Sequence, residues 1–375
     1  MTILYLSHEV TAVLGSTLSL YNLIHSLGEE HEAVVALPAH GPAYDYLTAR
    51  GVRCLVVPFH VDFVGSGYNW LYFLTFPVRY VRDLRDNGRA VRRIVRALGS
   101  TRIDVVHTNT SVLDFGPALA RCLGVPHVWH LREFIDLDLG FRPFLGWRRL
   151  RRSIHGADAV VSITEAIARH FHVAGLPQAY VIHDAVRSRQ EASLRLPKEK
   201  YFVFCGYIVS HKGPDVAVRA FRRFAATHPG YRLVFLGKFE AEAYRAELLA
   251  LAGEAAGSLE FRGYVENVGE VIGRATALLM CSANEALGRV TIEAMFYGCP
   301  VIGRNSGGTR EIVRDGETGL LFEGDAQCAK SMARVAESPE LAQRLAQEAL
   351  RYACDEFSEE TYGARILRIY RSLTR

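Results

Sequence analysis

The sequence predicts an α/β chain built from two parallel-sheet domains in succession. Three observations carry that reading. Short apolar runs alternate with longer amphipathic stretches along both halves. The runs are apolar almost throughout, as strands covered on both faces require. The polar stretch DAVRSRQEASLRLPKEK, at 184–200, interrupts the pattern once, near the middle of the 375 residues. Read as a linker, it leaves domains at 1–183 and 201–357, each large enough for its own core.

The first half has strand candidates at Ile3–Ser7, Val34–Leu37, Cys54–Val57, Asp104–His107, His127–His130, Ala159–Ser162 and Tyr180–His183. Helical spacing lies between several of them, at Leu18–Leu27, Val91–Leu98 and Thr164–Phe171. After the linker, strands are expected at Tyr201–Cys205, Arg232–Leu236, Leu259–Arg262, Ala277–Met280, Pro300–Gly303 and Gly319–Phe322. Helices at Pro214–Thr227, Ala241–Ala252, Arg289–Tyr297 and Thr309–Val313 separate them. Beyond Asp325 the chain reads as helical, with a break at Cys354–Phe357 and a final helix at Glu360–Leu373. Open sheets of this kind bind ligands at the carboxyl ends of their strands, so both domains should face a central cleft.

Composition narrows the class. Apolar residues are 49% and charged residues 22%, a globular balance that excludes disordered, collagen-like and coiled-coil chains. The 32 glycines suit many tight strand–helix turns. Seven cysteines, with no C-x-x-C pair, argue against a disulfide framework or structural zinc and fit a reducing, cytoplasmic setting. The opening MTILYLSHEV enters a strand at once and has no basic n-region, so no signal peptide is expected. No apolar run reaches the length of a membrane span. Neither half carries G-x-G-x-x-G or G-x-x-x-x-G-K-[ST], which disfavours a dinucleotide enzyme or a P-loop NTPase.

The densest signal is CSANEALGRVTIEAMFYGCPVIGRNSGGTRE, at 281–311. Glu285 falls in a loop after a strand, Gly288 introduces a helix, and Glu293 lies on that helix. Asn305–Gly308 forms another loop before Thr309–Glu311. Carboxylates accept hydrogen bonds from ligand hydroxyls, and loop amides at a helix start suit phosphate. By periodicity alone, a ligand site and a pair of solvated glutamates both remain open.

This stretch resembles the signature of family 4 glycosyltransferases, the retaining group with the GT-B fold of two Rossmann-like domains. The combination of E-x7-E, GCPVIG and SGGTREIV-x-DGETG carries the resemblance, which covers nearly the whole chain and is strongest over Val203–Leu321. It implies that Glu293 binds the ribose of a nucleoside diphosphate sugar and Glu285 the donor sugar. Ala286, Leu287 and Gly288 approach the sugar and diphosphate, Val290 sits under the ribose, and Gly263, Tyr264 and Val265 line the base pocket. Leu287 stands where the family usually has Phe. Upstream, CGYIVSHKG (Cys205–Gly213) matches the loop that places two cations at the diphosphate. Gly206 and Lys212 are kept, but Tyr207 replaces Arg, and tyrosine supplies a hydrogen bond without charge. Arg132 and Arg289 are candidates to compensate.

The first half is then expected to bind the acceptor, completed by the C-terminal helix at 358–375. Gly15 and Ser16, in EVTAVLGST, are the candidates for a phosphate-facing glycine loop. The family's double glycine is reduced here to Leu14–Gly15. His130, in VWHLRE, ends a strand where related enzymes place a histidine against the donor sugar. Its catalytic partners by resemblance are Lys212 and Glu285. Acceptor candidates are His107, Asn109, Thr110 and Arg132. Ser162 and Thr164 are further cleft-side candidates. Asp136–Asp138 has the spelling of a metal-binding D-x-D but sits in a polar–aromatic loop, so metal independence is expected and no cofactor is called for.

The segment Val64–Arg96 begins glycine-rich, turns aromatic and ends basic. Arg79, Arg82, Arg85, Arg89, Arg92, Arg93 and Arg96 recur at three- and four-residue steps, one stripe if helical. Arg142, Arg148, Arg149, Arg151 and Arg152 lie beside Phe141, Phe144 and Trp147. Such patches suit an anionic membrane face or a lipid-linked acceptor; a solvated helix face fits them as well. No nucleic-acid motif accompanies them. The reading is a retaining glycosyltransferase with a hydroxyl acceptor: a glycan, a lipid-linked glycan or a small molecule. The alternatives are a non-catalytic nucleotide-sugar-binding protein and another GT-B enzyme, such as an epimerase or a phosphorylase.

Overall fold

The structure is a computed structural model that describes every residue except 14, 62, 66–69, 139, 195–196 and 240. The side chains of 65, 70–77 and 79 also lie outside the description, and with them Arg79 of the basic stripe, as does Leu14 of the reduced glycine pair. The chain forms two compact units. One is Met1–Ala185 with Glu359–Arg375, the other Val186–Ser358.

The first unit runs β1 (Thr2–Leu6), α1 (Gly15–Ser26), β2 (Glu32–Leu37), α2 (Pro42–Thr48), β3 (Arg53–Val56), β4 (Phe63–Gly65) and α3 (Trp70–Leu98). It continues with β5 (Val105–Thr108), α4 (Gly116–Leu123), β6 (His127–Leu131), β7 (Phe141–Pro143), α5 (Gly146–His155), β8 (Ala159–Ser162), α6 (Glu165–His170) and β9 (Ala179–Val181). Among the described residues seven strands form one parallel sheet, ordered β3-β2-β1-β5-β6-β8-β9. Its strands are buried on both faces, which is why they read as continuous apolar runs. Ile3 and Tyr5 face one core with Leu20 and Leu23 of α1, while Leu4 and Leu6 face the other with Ile94 and Leu98 of α3.

The second unit runs β10 (Glu199–Cys205), α7 (Pro214–Ala225), β11 (Arg232–Leu236), α8 (Glu242–Ala252), β12 (Leu259–Phe261), α9 (Val268–Arg274) and β13 (Ala275–Met280). Then follow α10 (Arg289–Phe296), β14 (Val301–Arg304), α11 (Thr309–Ile312), β15 (Gly319–Phe322), α12 (Asp325–Glu337) and α13 (Pro339–Glu356). Its sheet is also parallel, ordered β12-β11-β10-β13-β14-β15. Phe202, Phe204, Phe221, Phe224 and Phe235 dominate the core on one of its faces. Both units are thus Rossmann-like.

Helix α14 (Glu359–Leu373) returns to the first unit. It crosses α1 closely at Gly363, where a Cβ would lie 2.1 Å from the Ser26 carbonyl oxygen. Tyr362, Ile366, Ile369 and Tyr370 form its buried face.

The structure differs from the sequence expectation at several elements. The helix expected at Val91–Leu98 begins at Trp70. The break expected at Cys354–Phe357 falls later, because α13 runs to Glu356 and Phe357 is fully buried. The short helices α2, α4, α5 and α9 and the antiparallel pair β4–β7 carry too few residues for a clear period.

Candidate functional site

In each sheet the strand order reverses once, between β1 and β5 and between β10 and β13. Open α/β sheets bind ligands at the carboxyl ends of their strands at such a point. The candidate residues collect beside these two points.

In the second unit, β10 is followed by Gly206, whose φ of 136° suits glycine. Gly237 after β11 packs so tightly that a Cβ would meet the Gly206 oxygen at 1.9 Å. Its N–H donates to the Gly263 oxygen at 2.7 Å, so the glycine loops after β10, β11 and β12 stack. Tyr207 and Tyr264 are exposed there. Lys212 ends a short turn and is followed by Gly213, at φ 73°, and by Pro214 opening α7. A Cβ on Gly213 would lie 2.5 Å from the Cys281 oxygen, so the Lys212 loop presses against the end of β13.

That contact brings Lys212 to Glu285. Lys212 Nζ donates to Glu285 Oε2 at 2.8 Å, and the pair is part-buried. Glu285 is braced by the next loop: its carbonyl accepts from Gly308 N at 2.7 Å. Cβ atoms on Gly307 and Gly308 would meet the Glu285 and Ala286 oxygens at 2.7 and 2.6 Å. The double glycine therefore lets one loop lie flat on the backbone of another. Gly288, at φ 83°, turns the chain into α10, with Leu287 buried and Val290 part-exposed. Glu293 follows on α10. Burial pushes its carboxyl above the usual range, against the favourable charges of Arg289 and Arg187.

In the first unit the candidates form a buried network. Arg132 ion-pairs with Asp184 through Nη1 and donates from Nε to Asn109 Oδ1 at 2.9 Å. Its Nη2 lies 3.3 Å from the Tyr362 hydroxyl and 3.4 Å from His130 Nδ1. His107 Nε2 is 3.2 Å from His130 Nδ1, and His107 Nδ1 is 2.7 Å from the Tyr370 hydroxyl. Both imidazoles are fully buried. Desolvation holds their pKa values well below the usual one, and the Arg132 charge adds to this. Thr110 Oγ1 and Ser111 N donate to Glu133, whose carboxyl burial shifts upward.

Arg132 and His107 are thus bound within the protein on every side that the structure describes. Arg132 is committed to Asp184 and so does not offer a free cation in place of the arginine missing at Tyr207. Gly15 and Ser16 open α1, beside the β1–β5 reversal. Ser162 and Thr164 follow β8; Ser162 is buried, and Thr164 caps α6. The D-x-D carboxylates serve the loop: Asp138 accepts from Phe134 N and Ile135 N at 2.8 Å each, and Asp136 lies 3.0 Å from His170 Nε2. They steady Ile135 at φ 79°, a conformation unfavourable for a β-branched residue.

The sequence reading missed Asp184, Tyr362, Tyr370 and Tyr5. A signal existed for two of them, because Tyr362, Ile366 and Tyr370 share one face of the last helix. The arginines at 82, 85, 89, 92, 93 and 96 are all exposed on α3, near the exposed Val78, Val81 and Leu84. Between α3, α4 and α5 lies a cavity of about 410 Å³ lined by Tyr80, Phe115, Phe144, Arg149 and Arg152, among others. No helix among the described residues is long and apolar enough to cross a membrane.

Comparison with known proteins adds to this geometry. The model of glycosyl transferases group 1 matches residues 186–352, and that of a glycosyl transferase 4-like domain matches 15–183. The chain is 30% identical over 324 residues to a D-inositol 3-phosphate glycosyltransferase of a Nocardioides species, covering 76% of this chain and 70% of the relative. It is 36% identical over 152 residues to the enzyme of that name from Acidothermus cellulolyticus, covering 38% of this chain but only 34% of that relative. The chain thus spans about a third of the latter. In fold it is similar to the solved structure of HepE from Anabaena in complex with UDP. The TM-score is 0.80 with 19% identity, and both chains are covered in full.

Proposed function

The chain belongs to the group 1 glycosyl transferases, and from that premise we propose that it transfers a sugar from a nucleoside diphosphate sugar to a hydroxyl acceptor with retention. The observation that carries this is the Lys212–Glu285 pair at the strand-order reversal of the second sheet, with Glu293 on the helix that follows. The second unit holds the donor in this reading. Glu293 accepts from the ribose hydroxyls and Glu285 from the sugar. Gly206, Gly263, Tyr264, Val265, Ala286, Leu287, Gly288 and Val290 shape the nucleotide and sugar subsites. Charge builds on the diphosphate as the anomeric bond breaks, and Lys212 stabilises it. Tyr207, where the family has a cation, adds a neutral hydrogen bond. The reading requires no metal.

The first unit takes the acceptor, with Asn109 and Thr110 among its contacts, while Gly15 and Ser16 approach the donor phosphates. His130 serves the reaction centre. Because HepE was solved with UDP, a UDP-sugar is the first donor to test. Release of nucleoside diphosphate from a panel of UDP-, GDP-, ADP- and TDP-sugars tests the reading. Turnover should be lost in Glu285→Ala and Lys212→Ala. Normal hydrolysis by both variants would sink the site assignment.

We also propose a cytoplasmic protein that touches a membrane peripherally. Seven free cysteines fit the first part. The exposed Val78, Val81 and Leu84 among arginines fit the second, and with it a lipid-linked acceptor. Co-pelleting with anionic but not neutral vesicles at low salt is expected. Equal recovery in the supernatant with both would remove the membrane contact.

A further inference from the structure

We propose that the cavity between α3, α4 and α5 takes one anionic lipid, its phosphate held by Arg149 and Arg152 and its chain laid on the apolar floor. This deepens the peripheral membrane reading given above and rests on it for the source of the lipid. The ligand chemistry, a phosphate ester of a long chain, follows from the lining alone.

At about 410 Å³ the cavity falls within the size of small-ligand pockets, about 300–1,000 Å³. Its floor is apolar because separate elements turn core residues toward one space. Val91 comes from α3, Phe115 from the residue before α4, Leu150 from α5 and Phe63 from β4, and all four are buried. Phe63 pairs with Pro143 of β7, so the antiparallel pair supplies two adjoining lining residues. Asn87 lines the floor too, but its amide is committed to the His60 backbone. Its Oδ1 accepts from His60 N at 2.8 Å, and its Nδ2 donates to His60 O at 3.1 Å. A water needs two to four polar partners, so this floor suits hydrocarbon better.

The rim is cationic. Arg149 and Arg152 stand three residues apart on one face of α5, and both are exposed. Among the described residues neither has an ion-pair partner. Arg151 between them is occupied elsewhere: it donates to the His170 oxygen at 3.2 Å and lies over the Trp147 ring. Arg121 of α4 adds a third cation, and Asp114 is the one carboxylate in the lining. Three guanidiniums against one carboxylate leave two positive charges, which fits a phosphate. The guanidinium fork also binds phosphate oxygens in pairs.

The rim joins a surface that is already apolar. Leu84 lines the cavity and is itself exposed. Val81 and Val78, at three-residue steps before it, continue an exposed strip along α3 among Arg82, Arg85 and Arg89. A free phosphate would leave the floor unused, and a plain hydrocarbon would leave the arginines unused. A lipid of an anionic bilayer uses both, and the strip on α3 lies beside its way in.

Calorimetry on the whole protein with octyl phosphate, butyl phosphate, inorganic phosphate and 1-octanol tests the ligand. Octyl phosphate should bind one to one. Each buried methylene is worth up to about fourfold, so butyl phosphate should bind at least about tenfold more weakly, and inorganic phosphate more weakly still. Arg149→Gln combined with Arg152→Gln should weaken octyl phosphate by about tenfold or more and leave 1-octanol unchanged. Gly88 lines the cavity on α3, and a Cβ there would meet nothing within 4 Å, so Gly88→Phe fills the space without a backbone clash. It should abolish binding of both. Inorganic phosphate or 1-octanol as tight as octyl phosphate overturns the proposal, and so does octyl phosphate binding that neither variant changes. Co-pelleting with vesicles of phosphatidylcholine and phosphatidylglycerol tests the source. Gly88→Phe should pellet severalfold less than the wild type. Wild-type pelleting in Gly88→Phe overturns lipid uptake and leaves the surface contact of α3 standing. No pelleting of the wild type, with octyl phosphate still bound, overturns the membrane reading and with it the lipid, and assigns the cavity to a soluble phosphate ester.

Discussion

Lys212 Nζ lies 2.8 Å from Glu285 Oε2, although 73 positions separate the two residues in the chain. The carboxylate and the ammonium come from loops after β10 and β13, neighbouring strands at the centre of their sheet.

Because each charge faces the other, their effects should not add. Lys212→Ala and Glu285→Ala should each lower kcat/KM for donor turnover by about a hundredfold or more. The double variant should lose clearly less than the product of the two. A double-mutant cycle measures the coupling; strict additivity would show that the contact has no role in turnover.

Glu293 predicts an acid limit on nucleotide binding. Its carboxyl titrates above the ordinary glutamate value of about 4.3, because burial disfavours the charge. In the proposed donor site the carboxylate is the form that accepts from ribose hydroxyls. Affinity for a nucleoside diphosphate should therefore fall as pH drops through a value above that ordinary one. Calorimetric titration across pH 4.5–7.5 checks this. Glu293→Gln should weaken binding at pH 7.5 and flatten the profile.

Gly213 should not tolerate a side chain. Its φ is 73°, and a Cβ there would sit 2.5 Å from the Cys281 oxygen, so backbone and neighbour both oppose substitution. Gly213→Ala should cost about 2 kcal/mol of stability and misplace Lys212. Urea unfolding reads the first effect and donor turnover the second. A variant with wild-type midpoint and rate would contradict the packing described for this loop.

Three buried histidines should make the first unit acid-sensitive. His107 and His130 are held neutral by desolvation, and burial pushes His127 down to about 3. The unfolded chain protonates each near pH 6.5, so stability is full above that pH and falls as pH drops below it. Between pH 7 and pH 5 His127 should remove about 2 kcal/mol, and His107 and His130 act in the same direction. In His127→Gln the loss on going from pH 7 to pH 5 should shrink by about that amount. An unchanged pH dependence would place the His127 proton balance elsewhere.

Much of the sheet structure was legible because strands buried on both faces read as apolar runs. The E-x7-E signature and the glycine loops were legible for the same kind of reason: they are local, and their spacing carries the geometry. What escaped was long-range or hidden in short elements. Asp184 looks like a linker residue until the fold places it against Arg132, 52 positions away. Tyr370 meets His107 across 263 positions. Gly307 and Gly308 read as amides for phosphate, yet their contacts show a steric need as well, since any side chain would collide with Glu285 and Ala286. Nothing in the spelling of Ile135 announces its positive φ, because two oxygens of Asp138 impose it from three residues on.

The return of α14 to the first unit has a consequence for biosynthesis. A ribosome makes Met1–Ala185 first, but Tyr362 and Tyr370 follow only after Val186–Ser358. At about 5–20 residues per second that is a wait of roughly 10–35 s. Throughout it the early unit lacks the hydroxyls that bond Arg132 and His107, and the face that α14 covers stays open. A nascent chain is therefore exposed to chaperones and proteases for that interval, and a ribosome that stalls before Glu359 releases a product with its histidine cluster unbraced.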